Sequence, residues 1–323
     1  MKAIVLLNGA AGTLAAGDRS GRDSAVAAAL TAVGINADIR VVTGKSLKSE
    51  AESAIRSDLD LLIVGGGDGT LSTVAGVMID QQVPLGILPM GTLNHFAKDL
   101  GIPLDLAGAA SVIAENHVIS IDVGEVNGRV FINNSSLGIY PYMVLNRDSQ
   151  QKRYGFSKWM AMFYAMLKVF RRFPMVKVKL TTDTTSIVRK TPLVFVGNNC
   201  YQLDLFQLGK RNCLDRGELS LYVANAQSRW AMFKLIVRAI FGGLKQARDF
   251  ETLSLANCTI ESHRHLLHVA ADGEVWGVPP PLQYRIRPGA LRVCVPQLTE
   301  RLGDQQTARL TAGLPTENVG PQP

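Results

Sequence analysis

Cysteine is scarce in this chain, and so is most of what would make it a redox, metal-binding or membrane-spanning protein. Four cysteines occur in 323 residues, Cys200, Cys213, Cys258 and Cys294. They form no C-x-x-C pair and no metal-ligand spacing, so they are expected to be reduced, buried and structural, as in a cytosolic protein. His263, His265 and His268 have no cysteine or carboxylate to complete a ligand set. In one uninterrupted strand His268 would also face away from the other two. No run of about 20 apolar residues is available to cross a bilayer. The short apolar stretch Ala3 to Leu7 is cut off by Asn8-Gly9, then followed by Asp18 and Arg19, which fits a first strand rather than a targeting segment. Two familiar phosphate-loop spacings are missing too. Gly44-Lys45-Ser46 has Ile39 where a Walker A loop needs glycine. The G-x-G-x-x-G fingerprint fails because Gly65-x-Gly67 is followed by Thr70, and Gly67-x-Gly69 by Ser72.

Glycine, by contrast, is concentrated in one place. Gly65-Gly66-Gly67-Asp68-Gly69-Thr70 follows the apolar run Asp60 to Val64, which reads as a buried parallel strand. It precedes Leu71 to Met78, which reads as a helix. Glycines let backbone N–H groups approach an anion without a Cβ in the way, and a helix N-terminus adds partial positive charge. The stretch therefore reads as a phosphate site rather than a bare turn, and a side chain added at Gly67 or removed at Asp68 is expected to weaken binding while sparing the fold. A second strand, Pro84 to Pro89, leads into Gly91-Thr92-Leu93-Asn94. Ligands of open α/β sheets bind outside the carboxyl ends of strands, so the two loops are expected to share one crevice. Far downstream stands Asp272-Gly273-Glu274, which taken alone is a hairpin turn.

In this order, Gly66-Gly67-Asp68-Gly69-Thr70, Leu88-Pro89-Met90-Gly91-Thr92-Leu93-Asn94-His95-Phe96-Ala97 and Asp272-Gly273-Glu274 resemble the bacterial diacylglycerol kinase-like lipid kinases, relatives of sphingosine and ceramide kinases. The glycine loop alone is shared with NAD kinases and 6-phosphofructokinases; the three motifs together are far more specific. The resemblance implies an ATP- and Mg2+-dependent kinase acting on the hydroxyl of a lipid alcohol such as diacylglycerol. It implies Glu274 as the base that takes the hydroxyl proton, with Asp272 as its catalytic companion. It implies nucleotide contacts from Asn8, Thr43, Gly66, Gly67, Asp68, Gly69, Thr70, Leu71, Ser72, Gly91, Thr92 and Asn94. For Asn8 a plain turn is an equal reading, and for Thr43 a helix cap. Asp68 and Asp215 are the implied metal ligands. At the second of these the family places Asp directly before Gly, whereas here Arg216 precedes Gly217 and Asp215 is one earlier. His95 stands where relatives often carry Asp.

The implied fold is an α/β nucleotide-binding domain of the NAD kinase and diacylglycerol kinase type, followed by a β-sandwich-like domain. The pattern agrees: helix and strand alternate to about residue 120, then strand patterns dominate from a hairpin with an Asn127-Gly128 turn. The expected division is 1–120 for the nucleotide domain, 121–297 for the β-rich lipid-substrate domain and 298–323 for a disordered tail. Helices are expected over Lys158 to Phe173 and Trp230 to Phe250, their apolar stripes reading as packing faces before membrane contacts. With 47% hydrophobic and 19% charged residues the chain is globular, and its net charge of +7 favours anionic partners. The expected partners are nucleotide and a lipid substrate at the membrane surface, not nucleic acid, with a homodimer left open. The expected location is cytoplasmic, peripheral at the inner membrane face. A soluble NAD kinase is the second reading; the chain has Asn134-Ser135-Ser136-Leu137-Gly138 in place of the Asn-x-Gly-x-Leu-Gly-Phe signature. A binding protein without catalysis is the third.

Overall fold

The computed structural model describes residues 1–9, 19–141, 175–182, 185–200, 213–226 and 249–297, with isolated positions between 228 and 238. The expected helix over Lys158 to Phe173 and the tail from 298 lie outside these residues.

The N-terminal half alternates strand and helix: β1 (Ala3–Asn8), α1 (Arg19–Ala32), β2 (Ala37–Val42), α2 (Leu47–Ile55), β3 (Leu61–Gly66), α3 (Asp68–Met78), β4 (Leu85–Pro89), α4 (His95–Asp99) and α5 (Leu106–Glu115). β1, β3 and β4 pair in parallel and are buried nearly end to end, which is why their sequences are unbroken apolar runs. α5 was not anticipated; Asp105 caps it, its carboxylate accepting from Gly108 N at 2.8 Å.

The chain then becomes β-rich: β5 (Val118–Val126), β6 (Arg129–Phe131), β7 (Asn134–Gly138), β8 (Val176–Thr181), β9 (Ser186–Thr191), β10 (Leu193–Asn198), β11 (Leu219–Ala224), β12 (Phe250–Leu255), β13 (Asn257–Ser262), β14 (Leu267–Ala271), β15 (Glu274–Val278) and β16 (Leu282–Cys294). The Asn127-Gly128 turn joins β5 and β6, both residues having positive φ as a two-residue hairpin requires. Two sheets result. One runs β2-β1-β3-β4-β16-β13-β8-β9 with β5 and β6 attached, and the other runs β12-β11-β10-β7-β14-β15.

Three expectations are corrected here. The helix expected through Phe250 gives way to β12, which starts at Phe250. His263 and His265 lie in the bend between β13 and β14, not on a strand, while His268 is on β14. Cys258 and Cys294 are buried, and burial pushes each thiol up to about 11, but Cys200 and Cys213 are only half-buried.

β16 is the strand that joins the halves. β5 pairs with it on both sides of a bulge, from Tyr284 to Cys294, while its other edge pairs first with β13 and near its end, in parallel, with β4 at Val293↔Leu85. The bulge, between Arg287 and Leu291, changes its register along β5. Leu291, Val293 and Cys294 sit in the core of the α/β half, whereas Leu282, Tyr284 and Ile286 sit in the core of the sandwich. Glu125 of β5 receives a bidentate bond from Arg285 across the strands, at 2.9 Å on both oxygens.

Candidate active site

The β3–α3 and β4–α4 loops meet backbone to backbone. A Cβ placed on Gly91 would lie 2.4 Å from Gly67 Cα, so Gly91 can carry no side chain at that contact without the loops moving apart. A Cβ on Gly66 would meet the Thr70 side chain within 2.7 Å. Its absence lets Thr70 fold back over the strand end, where its Oγ1 accepts from Asn8 Nδ2 at 2.8 Å. Gly67 caps α3 without a side-chain bond. The backbone N–H groups of Asp68 and Gly69 have no partner among the described residues. Uncommitted donors at a helix N-terminus are the physical basis of an anion site.

Other expected contacts are spent internally. Asp68 accepts from His95 N at 3.1 Å and Phe96 N at 2.9 Å, so its carboxylate caps α4. Both positions expected to affect binding alone therefore also make contacts within the fold: Asp68 caps α4, and a Cβ at Gly67 would meet Gly91 Cα at 3.2 Å. Asn94 is buried in the left-handed region, its amide accepting from Gly91 N and donating to Gly91 O, both at 2.9 Å. Leu71 is wholly buried in the α/β core. Thr92 is exposed at the crevice. Thr43 is exposed at the end of β2 and its hydroxyl meets Ser46 Oγ at 3.1 Å.

The downstream turn reaches this crevice. Ser72 of α3 donates to Asp272 Oδ2 at 2.7 Å, across 200 residues of sequence. Asp272 also accepts from Ile132 N at 2.7 Å, Asn133 N at 2.9 Å and Asn134 N at 3.2 Å. Burial raises the Asp272 carboxyl above its ordinary range, and the four donors pull the other way. Asp272 is thus a brace between α3, the β6–β7 link and the β14–β15 turn. Glu274, two residues on, is exposed, and its carboxylate accepts from the Arg129 guanidinium. Arg129 in turn lies 3.9 Å from the centre of the Trp276 ring. The sequence reading did not single out Arg129 or Trp276; the only local hint was an Arg directly after a hairpin turn.

The second expected metal position is arranged differently. Asp215 is exposed on a turn held by Asp122, which is buried and accepts from Gly217 N at 2.7 Å and Gly289 N at 2.8 Å. Arg216 N donates to Asn199 Oδ1 at 2.9 Å. Asp68 and Asp215 are not brought together with a third ligand: among the described residues no group of three His, Cys, Asp or Glu could hold a metal ion.

Fold and site together define a two-domain protein, an α/β half with a glycine-loop crevice closed by a β-sandwich-like half that carries an acidic turn. Residues 2–126 match the model of the diacylglycerol kinase catalytic domain, and residues 144–295 match that of the YegS C-terminal NAD kinase beta sandwich-like domain. The chain belongs to the diacylglycerol kinase-like family. Curated relatives include proteins named diacylglycerol kinase from Staphylococcus epidermidis, 45% identical over 91 residues (28% of this chain, 29% of the relative), and from Staphylococcus haemolyticus, 44% identical over 91 residues (28% of each). The matched stretch thus spans less than a third of these relatives. A solved diacylglycerol kinase structure from Bacillus anthracis superposes with a TM-score of 0.66 at 23% identity, covering 91% of this chain and 97% of that one. At that identity the likeness carries the fold alone.

Proposed function

We propose that this protein is an ATP-dependent lipid kinase that phosphorylates the hydroxyl of a lipid alcohol such as diacylglycerol at a membrane surface. The observation that carries the reading is the Ser72–Asp272 hydrogen bond of 2.7 Å, which fixes the acidic turn against the helix whose N-terminus is open to an anion. The N–H groups of Asp68 and Gly69 receive phosphate oxygens of the nucleotide. Thr92, exposed beside them, offers a hydroxyl on the other wall. Glu274 is an exposed carboxylate on the strand that leaves the braced turn, and takes the proton of the attacking hydroxyl.

The residues present do not fit a resident Mg2+ cage. Asp68 is committed to capping α4, and Asp215 is exposed with Arg216 beside it. Mg2+ is therefore assigned to the incoming nucleotide, whose phosphates commonly supply most of its non-water ligands, and no step is routed through it.

Incubation with ATP and Mg2+ and a panel of diacylglycerol, sphingosine, ceramide and NAD in mixed micelles tests the substrate class. Phosphorylation of a lipid alcohol is expected; transfer to NAD alone, or to nothing, overturns the reading. Glu274→Gln keeps the shape but accepts no proton, so turnover should fall by about 10²–10⁴-fold with nucleotide affinity nearly unmoved. A wild-type rate for that variant would remove the base assignment.

A further inference from the structure

We propose that Arg129 is the cation that meets the transferred phosphoryl group, and that in the ligand-free protein it is held in waiting by Glu274 and Trp276. The inference rests on the kinase reading above and adds a residue to it. Phosphoryl transfer spreads negative charge over three equatorial oxygens, and catalysis depends on fixed donors and cations placed around them. The glycine loops supply backbone donors, yet residues 65–72 and 90–94 contain no Lys or Arg. Among the described residues the cation paired with the acidic turn is Arg129, whose guanidinium is bonded to Glu274.

Three features fit it for the role. Its position is fixed from below: Arg129 opens β6, and the N–H groups of Ile132 and Asn133, just beyond that strand, both bond Asp272, which bonds Ser72 on α3. Its guanidinium carbon sits over the Trp276 ring, 3.9 Å from the ring centre, and Trp276 shares a face of β15 with Glu274 two residues away. A stacked guanidinium leaves its edge N–H groups free for bidentate bonds to phosphate oxygens. Its present partner is easily exchanged, because the side chains of Arg129 and Glu274 are 46% and 53% exposed, and such pairs are weak in water.

The exchange links the two roles. As the nucleoside triphosphate and the alcohol come together, Arg129 turns from Glu274 to the γ-phosphoryl oxygens. The alcohol oxygen forms a bond to the γ-phosphorus, and the bond from that phosphorus to the β–γ bridging oxygen breaks, its electron pair leaving with the nucleoside diphosphate. The hydroxyl proton passes to the Glu274 carboxylate, which Arg129 has released.

The test uses the full chain with ATP, Mg2+ and dioctanoylglycerol in mixed micelles, comparing wild type with Arg129→Ala, Arg129→Lys and Trp276→Leu. Arg129→Ala is expected to lower kcat by about 10²–10³-fold, the scale of losing one transition-state donor, with the KM for ATP unchanged. Added guanidinium chloride should restore part of the Arg129→Ala rate, whereas equal tetramethylammonium chloride should not. Arg129→Lys should retain more activity than Arg129→Ala, and Trp276→Leu should fall between wild type and Arg129→Ala. Calorimetry with dioctanoyl phosphatidic acid should show weaker binding to Arg129→Ala than to wild type. An active wild type with an equally active Arg129→Ala overturns the inference and leaves the kinase reading standing. So does a loss that guanidinium does not relieve, with phosphatidic acid affinity unaltered, which would make the pair a structural tie between β6 and β15. A wild type inactive on every lipid alcohol removes both. If Arg129→Ala does not fold, Arg129→Lys and Trp276→Leu decide through the same kcat and phosphatidic acid readouts.

Discussion

Asp272 and Glu274 stand two residues apart and do different work. Asp272 accepts four hydrogen bonds, one from a helix of the α/β half and three from consecutive backbone positions of the β-rich half. Asp272→Asn keeps the volume but turns an NH2 group toward at least one donor. The expected cost is about 1–3 kcal/mol, read as a lower midpoint in thermal or urea unfolding, together with reduced kinase activity. A midpoint equal to wild type would show that the brace contributes nothing. Asp68→Ala should cost about 1 kcal/mol through loss of the α4 cap, measured in the same way. The resemblance picked out both acids of the turn, but the residues alone could not separate the brace from the proposed base. The partners that distinguish them, Ser72, Ile132 to Asn134 and Arg129, are between 138 and 200 residues away in sequence. Ser72 shows the same limit. The resemblance implies a nucleotide contact there, and the structure adds what no neighbouring residue signals, a hydrogen bond from its hydroxyl to Asp272.

At the scale of elements, the loops were legible because their backbone demands are written in glycine. Packing makes those demands unequal. Gly91→Ala would drive a Cβ to 2.4 Å from Gly67 Cα, while a Cβ at Gly69 meets nothing within 4 Å. Gly91→Ala should therefore destabilise by about 1–3 kcal/mol and weaken nucleotide binding, as overpacking does. Gly69→Ala, near the start of α3, should fold at least as stably as wild type. Thermal melts of the two variants side by side, with nucleotide titration, check the contrast; equal midpoints would contradict the loop contact. Strands were less legible where they are short. β14 and β15 have five residues each and flank a turn, and too little alternation remains to register as strand. The stretch ending at Phe250 mixes apolar and basic residues at a spacing that suits a helix, and nothing local in it marks Phe250 as the start of β12, where it packs against Tyr222 with ring centres 6.4 Å apart.

For the whole molecule, composition speaks to association rather than to fold. Among the described residues no helix is long and apolar enough to cross a membrane. With a net charge of +7, binding to vesicles should rise with anionic lipid content and fall as salt is added. Equal partitioning onto neutral and anionic vesicles at low salt would count against electrostatic docking. The paired sheets have a consequence for how the chain is made. β4 gains its second neighbour only when β16 arrives, and β16 comes from the far end of the β-rich half. On the ribosome the N-terminal sheet therefore emerges with β4 as an open edge, its row of N–H and C=O groups offered to any extended segment nearby. β16, which follows every other described strand in the chain, closes that edge and completes the sandwich core in the same movement, so the nascent protein stays vulnerable to mispairing until β16 has left the tunnel.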